Sequence, residues 1–217
     1  RRATPRPSPP AGAKEVVLRK INPVRPEVIA IGSSTGGPQA LAQVLKDLDS
    51  QTRLPILIVQ HMPKTFTGIL AQHLSGVSQR KCLEGEDGAP IEAGCVYLAP
   101  GGRHMVVDNV GGRKIIRLND EEPENFCRPA VDPLFRTVAH HYGPRSLAVV
   151  LTGMGQDGAA GGVAIADAGG AVFAQDKETS VVWGMPGATA WAGACAAVLP
   201  LPEIGSRMSA HCRGEYV

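Results

Sequence analysis

Three reactive side chains in this sequence each follow directly on a short apolar run: a serine between glycines, a histidine and an aspartate. Gly32-Ser33-Ser34-Thr35-Gly36 fits G-x-S-x-G with Ser34 at its centre. The pattern follows the β-branched run Val28–Ile31 and precedes Pro38, a residue that opens helices at the first turn. This is the strand–turn–helix setting of a nucleophile elbow, where glycines let the backbone turn sharply and leave a serine oxygen exposed. The helix N-terminus behind it offers free amides and a positive dipole end to an oxyanion. Ser34, rather than Ser33, has glycine two residues away on both sides. The same glycines could instead form an anion cradle for a phosphate or nucleotide. They carry neither the Gly-Lys-Ser/Thr of a P-loop nor the G-x-G-x-x-G spacing.

A serine hydroxyl needs an adjacent base to act as a nucleophile. His61 stands at the end of Pro55–Val59, a second strand-like run that ends at Gln60-His61-Met62-Pro63. His104, in Gly101-Gly102-Arg103-His104, reads as a turn residue and is second choice. His140 and His141 fall at a helix end, His73 on a helix surface and His211 in the tail. Asp157 sits in Thr152-Gly153-Met154-Gly155-Gln156-Asp157-Gly158, after the apolar run Leu147–Leu151. A carboxylate there can orient an imidazole and stabilise its charged form, or simply cap the helix that follows. Ser34, His61 and Asp157 on three strand ends make a more specific set than any one of them. Their chain order, Ser–His–Asp, is not the Ser–Asp–His of α/β-hydrolases.

Such a site needs strands whose carboxyl ends converge. Apolar runs alternate with helical patterns: Leu41, Val44, Leu45 and Leu48; then a helix capped by Thr65 with Phe66, Ile69, Leu70 and Leu74 on one face. Phe66 and Trp183 read as core. Asp132-Pro133 starts a helix with Leu134, Phe135, Val138 and Tyr142 inward; small residues form another up to Ala168; Ala171–Ala174 is a strand, and Pro186 opens an Ala-rich helix. Residues 82–118, with Cys95–Leu98, Met105–Val107 and Lys114–Leu118 between Gly-rich turns, read as antiparallel hairpins. The fold class expected is α/β: a doubly wound, mostly parallel sheet with flanking helices and an antiparallel hairpin region. Ligands bind such sheets outside the carboxyl ends of the strands.

The 217 residues are 43% hydrophobic and 19% charged, an ordinary globular composition. The longest apolar runs are about six residues, far short of the roughly 20 that cross a bilayer, and no signal-peptide pattern is present. Residues 1–20 hold six Lys/Arg against one Glu; the remainder hold 16 against 19 and are mildly acidic. The basic stripe needed for duplex nucleic acid is missing. Five scattered cysteines without a CxxC pair or metal spacing read as reduced thiols of a cytoplasmic protein. Residues 1–14, with Pro5, Pro7, Pro9 and Pro10, read as an interdomain linker ahead of a domain over 15–217. The start at Arg1 points to a fragment whose N-terminal partner domain lies elsewhere.

The segments VIAIGSSTGGPQAL, QHMPKTFTGILAQHL, AGCVYLAPGGRHM, RPAVDPLF, LTGMGQDGAAGG and AQDKETSVVWGMPGA run in order from about residue 27 to 200. Together they resemble the catalytic domain of the chemotaxis protein-glutamate methylesterase (CheB) family. The resemblance implies a hydrolase that removes methyl groups from glutamate γ-methyl esters on the cytoplasmic helices of chemoreceptors and that can deamidate receptor glutamines. It places the nucleophile on Ser34, the general base on His61 and the orienting carboxylate on Asp157. Backbone amides of Thr35 and Met154 become the oxyanion donors, and Arg128 a substrate contact or a structural ion pair. It implies no metal or organic cofactor, no nucleic acid and no membrane insertion. It also implies an N-terminal receiver domain joined by the linker and covering the cleft until phosphorylated. Two positions depart from the family: Ser33 stands where Ala is frequent, and Ala130 where Ser is common.

Overall fold

The computed structural model describes residues 16–216; the expected linker 1–14 lies outside them. Seven strands form one parallel sheet: β1 (Val28–Ser33), β2 (Ile56–Gln60), β3 (Lys81–Glu84), β4 (Cys95–Leu98), β7 (Ser146–Val150), β8 (Ala171–Gln175) and β9 (Ala197–Leu199), in the order β3-β4-β2-β1-β7-β8-β9. A separate antiparallel pair, β5 (His104–Val110) and β6 (Arg113–Asn119), makes a hairpin. Helices α1 (Gly37–Asp47), α2 (Lys64–Ser78) and α6 (Leu201–Arg213) cover one face, and α3 (Val131–Tyr142), α4 (Ala159–Asp167) and α5 (Met185–Trp191) the other. The central strands read as unbroken apolar runs because both of their faces are covered. In β1, Val28 and Ala30 point to the α3 side while Ile29 and Ile31 point to the α1 side.

The chain leaves β1 to build β2 on one side and returns later to build β7 on the other. The winding reverses at β1, so a crevice opens at its carboxyl end. The hairpin packs on α3 and fills the core beside it with Met105, Val107 and Ile116.

Several expectations are corrected. Cys95–Leu98 belongs to no hairpin; it is a parallel strand between β2 and the short edge strand β3. Pro63, not Thr65, precedes α2. Its buried stripe is Thr67, Leu70, Ala71 and Leu74, leaving Phe66 and Ile69 exposed. Thr67 holds a core position because its hydroxyl is hydrogen-bonded to Lys64 O and Glu84, which turns the helix from the phase its apolar residues indicate. Trp183 is half-buried, donating from Nε1 to Gln175 O and set edge-on to Trp191. His211 is no tail residue but is buried in α6, and His104 is buried at the start of β5.

Candidate active site

Strand pairing continues one step beyond the ends of β1, β2 and β7. His61 N–H donates to Ser33 O at 3.1 Å and Ser34 N–H to Thr152 O at 3.0 Å. Ser33 pairs with Gln60, so Ser34 and His61 are the next residues along two adjacent strands, whose spacing is about 4.8 Å. On the other side, the 152–158 loop lies directly on Ser34. A Cβ added to Gly153 would stand 2.8 Å from Ser34 Cβ and 3.0 Å from Ser34 N. Gly36, at φ 81°, then turns the chain into α1.

The two serines have different surroundings. Ser33 is fully buried and donates from Oγ to Gln60 Oε1 at 2.7 Å. Ser34 is half-buried, and its hydroxyl has no hydrogen-bond partner among the described residues. Gln60 Nε2 donates to Ser34 O at 2.9 Å and to His61 O at 3.0 Å. One buried amide thus ties together the backbones of the two residues expected to react, a role its place in a plain strand run did not disclose.

His61 Nε2 lies 2.7 Å from Asp157 Oδ2. The buried Asp157 carboxylate also accepts the amides of Val131 (2.6 Å, Oδ2) and Asp132 (3.0 Å, Oδ1), and Asn125 Nδ2 (3.2 Å, Oδ1). Burial alone would push this carboxyl up; the bonds from His61, Val131 and Asp132 outweigh it and hold Asp157 below its ordinary value. Asp157 therefore does cap a helix, but it is α3 rather than the one that follows it. With Nε2–H committed to Asp157, Nδ1 is the ring nitrogen left to accept a proton. Cys127 Sγ rests 3.4 Å from it. Burial and the Asp157 charge push the Cys127 thiol up, keeping it a neutral S–H. For Ser34 to pass its proton to His61, Oγ must replace the thiol at Nδ1; such bonds are often long until substrate is bound.

The Thr35 and Met154 amides make no hydrogen bond among the described residues, whereas those of Ser34, Gly37 and Gly153 are spent on loop carbonyls. Arg128 forms no ion pair among the described residues. Its Nη1 donates to Asp120 O and Glu121 O, both at 3.0 Å, and it lines an open cavity of about 450 Å3 together with His61, Lys64, Gly101 and Cys127. Second-choice His104 is spent on structure, its nitrogens meeting Glu122 O and Ala130 N. Among the described residues no group of three or more His, Cys, Asp or Glu side chains is placed to hold a metal ion.

The family model described as CheB methylesterase matches residues 29–208. The chain belongs to the CheB methylesterase family. The crystal structure of the Thermotoga maritima CheB methylesterase catalytic domain superposes with a TM-score of 0.82 at 39% identity, covering 85% of this chain and 98% of that one. The "protein-glutamate methylesterase/protein-glutamine glutaminase 1" of Paramagnetospirillum magneticum is 57% identical over 202 residues, 93% of this chain and 52% of that protein. Its namesake from Rhodospirillum rubrum is 58% identical over 193 residues, 88% of this chain and 50% of that protein. The chain spans about half the length of these curated relatives. Membership in the CheB family was expected from the dispersed motifs, and the doubly wound fold from the alternation of apolar runs and helical patterns. Gln60, Asn125, Cys127 and Asp132 make direct contacts with the expected Ser34, His61 and Asp157.

Proposed function

We propose that this chain is the hydrolytic domain of a protein-glutamate methylesterase, acting on glutamate γ-methyl esters of chemoreceptor cytoplasmic helices. The observation that carries the reading is the His61 Nε2–Asp157 Oδ2 bond of 2.7 Å, at a strand end beside an unengaged Ser34 hydroxyl at the end of the adjacent strand. His61 Nδ1 takes the Ser34 proton, Oγ attacks the ester carbonyl, and methanol leaves with the proton returned by His61. Water, deprotonated by the same nitrogen, then releases the glutamate carboxylate. The oxyanion sits on the free Thr35 and Met154 amides; one such donor is worth about 3 kcal/mol of barrier. Arg128, beside His61 in the open cavity, meets the receptor segment around the ester.

The same acyl chemistry with ammonia as leaving group gives glutamine deamidation, the second activity in the relatives' names. Chemoreceptors place the reaction in the cytoplasm. No described helix is long and apolar enough to cross a membrane, and beyond residue 20 the chain is mildly acidic, which does not favour nucleic acid. In the longer protein, a receiver domain joined through residues 1–14 covers the cleft until phosphorylated. Methanol release from methylated chemoreceptor membranes tests the reading: the wild-type chain should release methanol without a phosphodonor, and Ser34→Ala should not. Release by neither, with both folded, or equally by both, refutes it.

A further inference from the structure

The carboxylate behind His61 does not stand alone. Asp132, in the first turn of α3, is buried beside it. Asp132 Oδ1 accepts the Gly158 and Gly161 amides at 3.0 and 2.6 Å, at the start of α4. Asp157, just ahead of α4, accepts the Val131 and Asp132 amides at the start of α3. Each carboxylate therefore caps the other's helix, and the two charges are held together in the protein interior. Like charges that close cannot both sit easily, and their environments push them apart. Burial and the Asp157 charge hold Asp132 above its ordinary value, while Asp157 stays below.

One side chain bridges the pair. Asn125 Nδ2 donates to Asp132 Oδ2 at 2.9 Å and to Asp157 Oδ1 at 3.2 Å. It is aimed there by a tight turn in which Glu124 and Cys127 exchange both backbone hydrogen bonds. The two central residues, Asn125 (φ 52°) and Phe126 (φ 63°), are both left-handed. Asn tolerates that region, but a phenylalanine there is strained, and Phe126 projects fully into solvent. The turn is pinned to α3 by Arg136, whose Nη1 and Nη2 each donate to Glu124 at 2.6 Å. A strained turn pinned at Glu124, with one amide pointing inward between two buried carboxylates, is a positioning device.

We propose that Asn125, acting with Asp132, is a positioning residue that keeps Asp157 ionised and oriented as the acceptor for His61 Nε2–H. The inference rests on the hydrolase reading. Two variants spare the backbone. Asn125→Gly keeps the left-handed conformation and removes only the amide; Asn125→Asp keeps the shape and reverses the polarity toward Asp157. With methylated receptor as substrate, Asn125→Gly should lower kcat about tenfold, a change of ~1.4 kcal/mol, with KM changed less than about twofold. Asn125→Asp should move the acid limb of kcat/KM upward by about one pH unit. Asp132→Asn, which turns a donor toward Asn125 while leaving an oxygen for Gly158 and Gly161, should give the same loss as Asn125→Gly, and the double variant no more.

The imidazole N–H resonance of His61 in the proton NMR spectrum needs no substrate. It should be sharp and downfield in the wild type and should shift or broaden in both Asn125 variants. Folded Asn125 variants that keep the wild-type pH profile and resonance would overturn the proposal, even if melting shifts, because a purely structural turn predicts only that shift. Should the wild type hydrolyse no ester, the hydrolase reading fails and the resonance alone decides for or against the clamp.

Discussion

Adjacent serines with opposite surroundings allow a double dissociation between stability and turnover. Ser33 is fully buried, and its hydroxyl makes one bond, to Gln60 Oε1. Ser33→Ala leaves that acceptor unsatisfied in the interior, at a cost of about 1–3 kcal/mol. For a domain of this size each kcal/mol lowers Tm by about 2–4 °C, so a mid-range loss should appear as a drop of ~4–8 °C. Catalysis should fall by no more than about tenfold, since Gln60 keeps both of its bonds to the Ser34 and His61 carbonyls. Ser34→Ala removes a hydroxyl with no partner, so Tm should move by less than about 1 °C. Turnover should fall by on the order of 10⁴-fold or more, because without the nucleophile only binding and the oxyanion donors remain. Thermal melts beside coupled methanol release from methylated receptor membranes read both quantities on the same samples. A folded Ser33→Ala without turnover, beside an active Ser34→Ala, would refute the assignment outright.

Replacing Asp157 by Asn should cost about 10⁴-fold in kcat, since an amide cannot hold His61 in the Nε2–H tautomer; a variant within tenfold of wild type would exclude an orienting carboxylate. Because Asp157 lies below its ordinary value, its stabilisation is present above that value and is lost as pH falls through the lowered one. Asp157→Asn should therefore flatten the acid decline of Tm below about pH 4. Gly153→Ala puts a methyl 2.8 Å from Ser34 Cβ; overpacking of about 1–3 kcal/mol should lower Tm, and displacement of Ser34 should cut kcat more than KM. Burial, and then the Arg207 charge, push His211 down to about 4 from 6.5. Stability should therefore fall as pH drops from 6.5 toward 4, a decline that His211→Leu should abolish without touching turnover.

What could be read from the sequence was whatever local pattern decides. β1, β2 and β7 are continuous apolar runs because helices cover both faces, and each ends in a loop rich in glycine or reactive side chains. Ser34, His61 and Asp157 could be picked out because a parallel sheet puts all such ends on one rim. α6 was not legible: Gly205 looks like a helix breaker, yet a Cβ there would stand 2.8 Å from Asp47 Cβ and 2.9 Å from Val44 O. The glycine is what lets α6 lie against α1. Cys95–Leu98 was drawn into the hairpins by the Gly-rich turns beside it, although its partners lie in β2 and β3. The roles of Asn125, Asp132, Gln60 and Cys127 escaped notice because they rest on hydrogen bonds and contacts between distant parts of the chain, and no spacing rule encodes those.

The orientation of the His61 ring explains why so much of the site is built from backbone ties. In the chymotrypsin arrangement the base nitrogen is Nε2, at the far end of the ring. Here Nε2 faces Asp157, and the nitrogen proposed as base is Nδ1, next to the ring's attachment point. Rotation about the side-chain bonds moves Nδ1 less than it moves Nε2, so the distance from Nδ1 to Ser34 depends chiefly on where the two backbones lie. Those backbones are fixed by His61 N–H on Ser33 O, Ser34 N–H on Thr152 O, and the Gln60 amide on both carbonyls. Asp157 holds the far end of the ring, where leverage on its tilt is greatest, and the Asn125–Asp132 clamp holds Asp157 in turn. It follows that Gln60→Leu should impair the Ser34–His61 step while leaving the His61–Asp157 proton resonance in place, and Asn125→Gly should disturb that resonance while leaving the Ser34–His61 backbone ties intact. Measuring kcat and the His61 resonance in both variants separates the two supports; parallel losses of both signals in both variants would show that the base is positioned as one unit, against the lever argument.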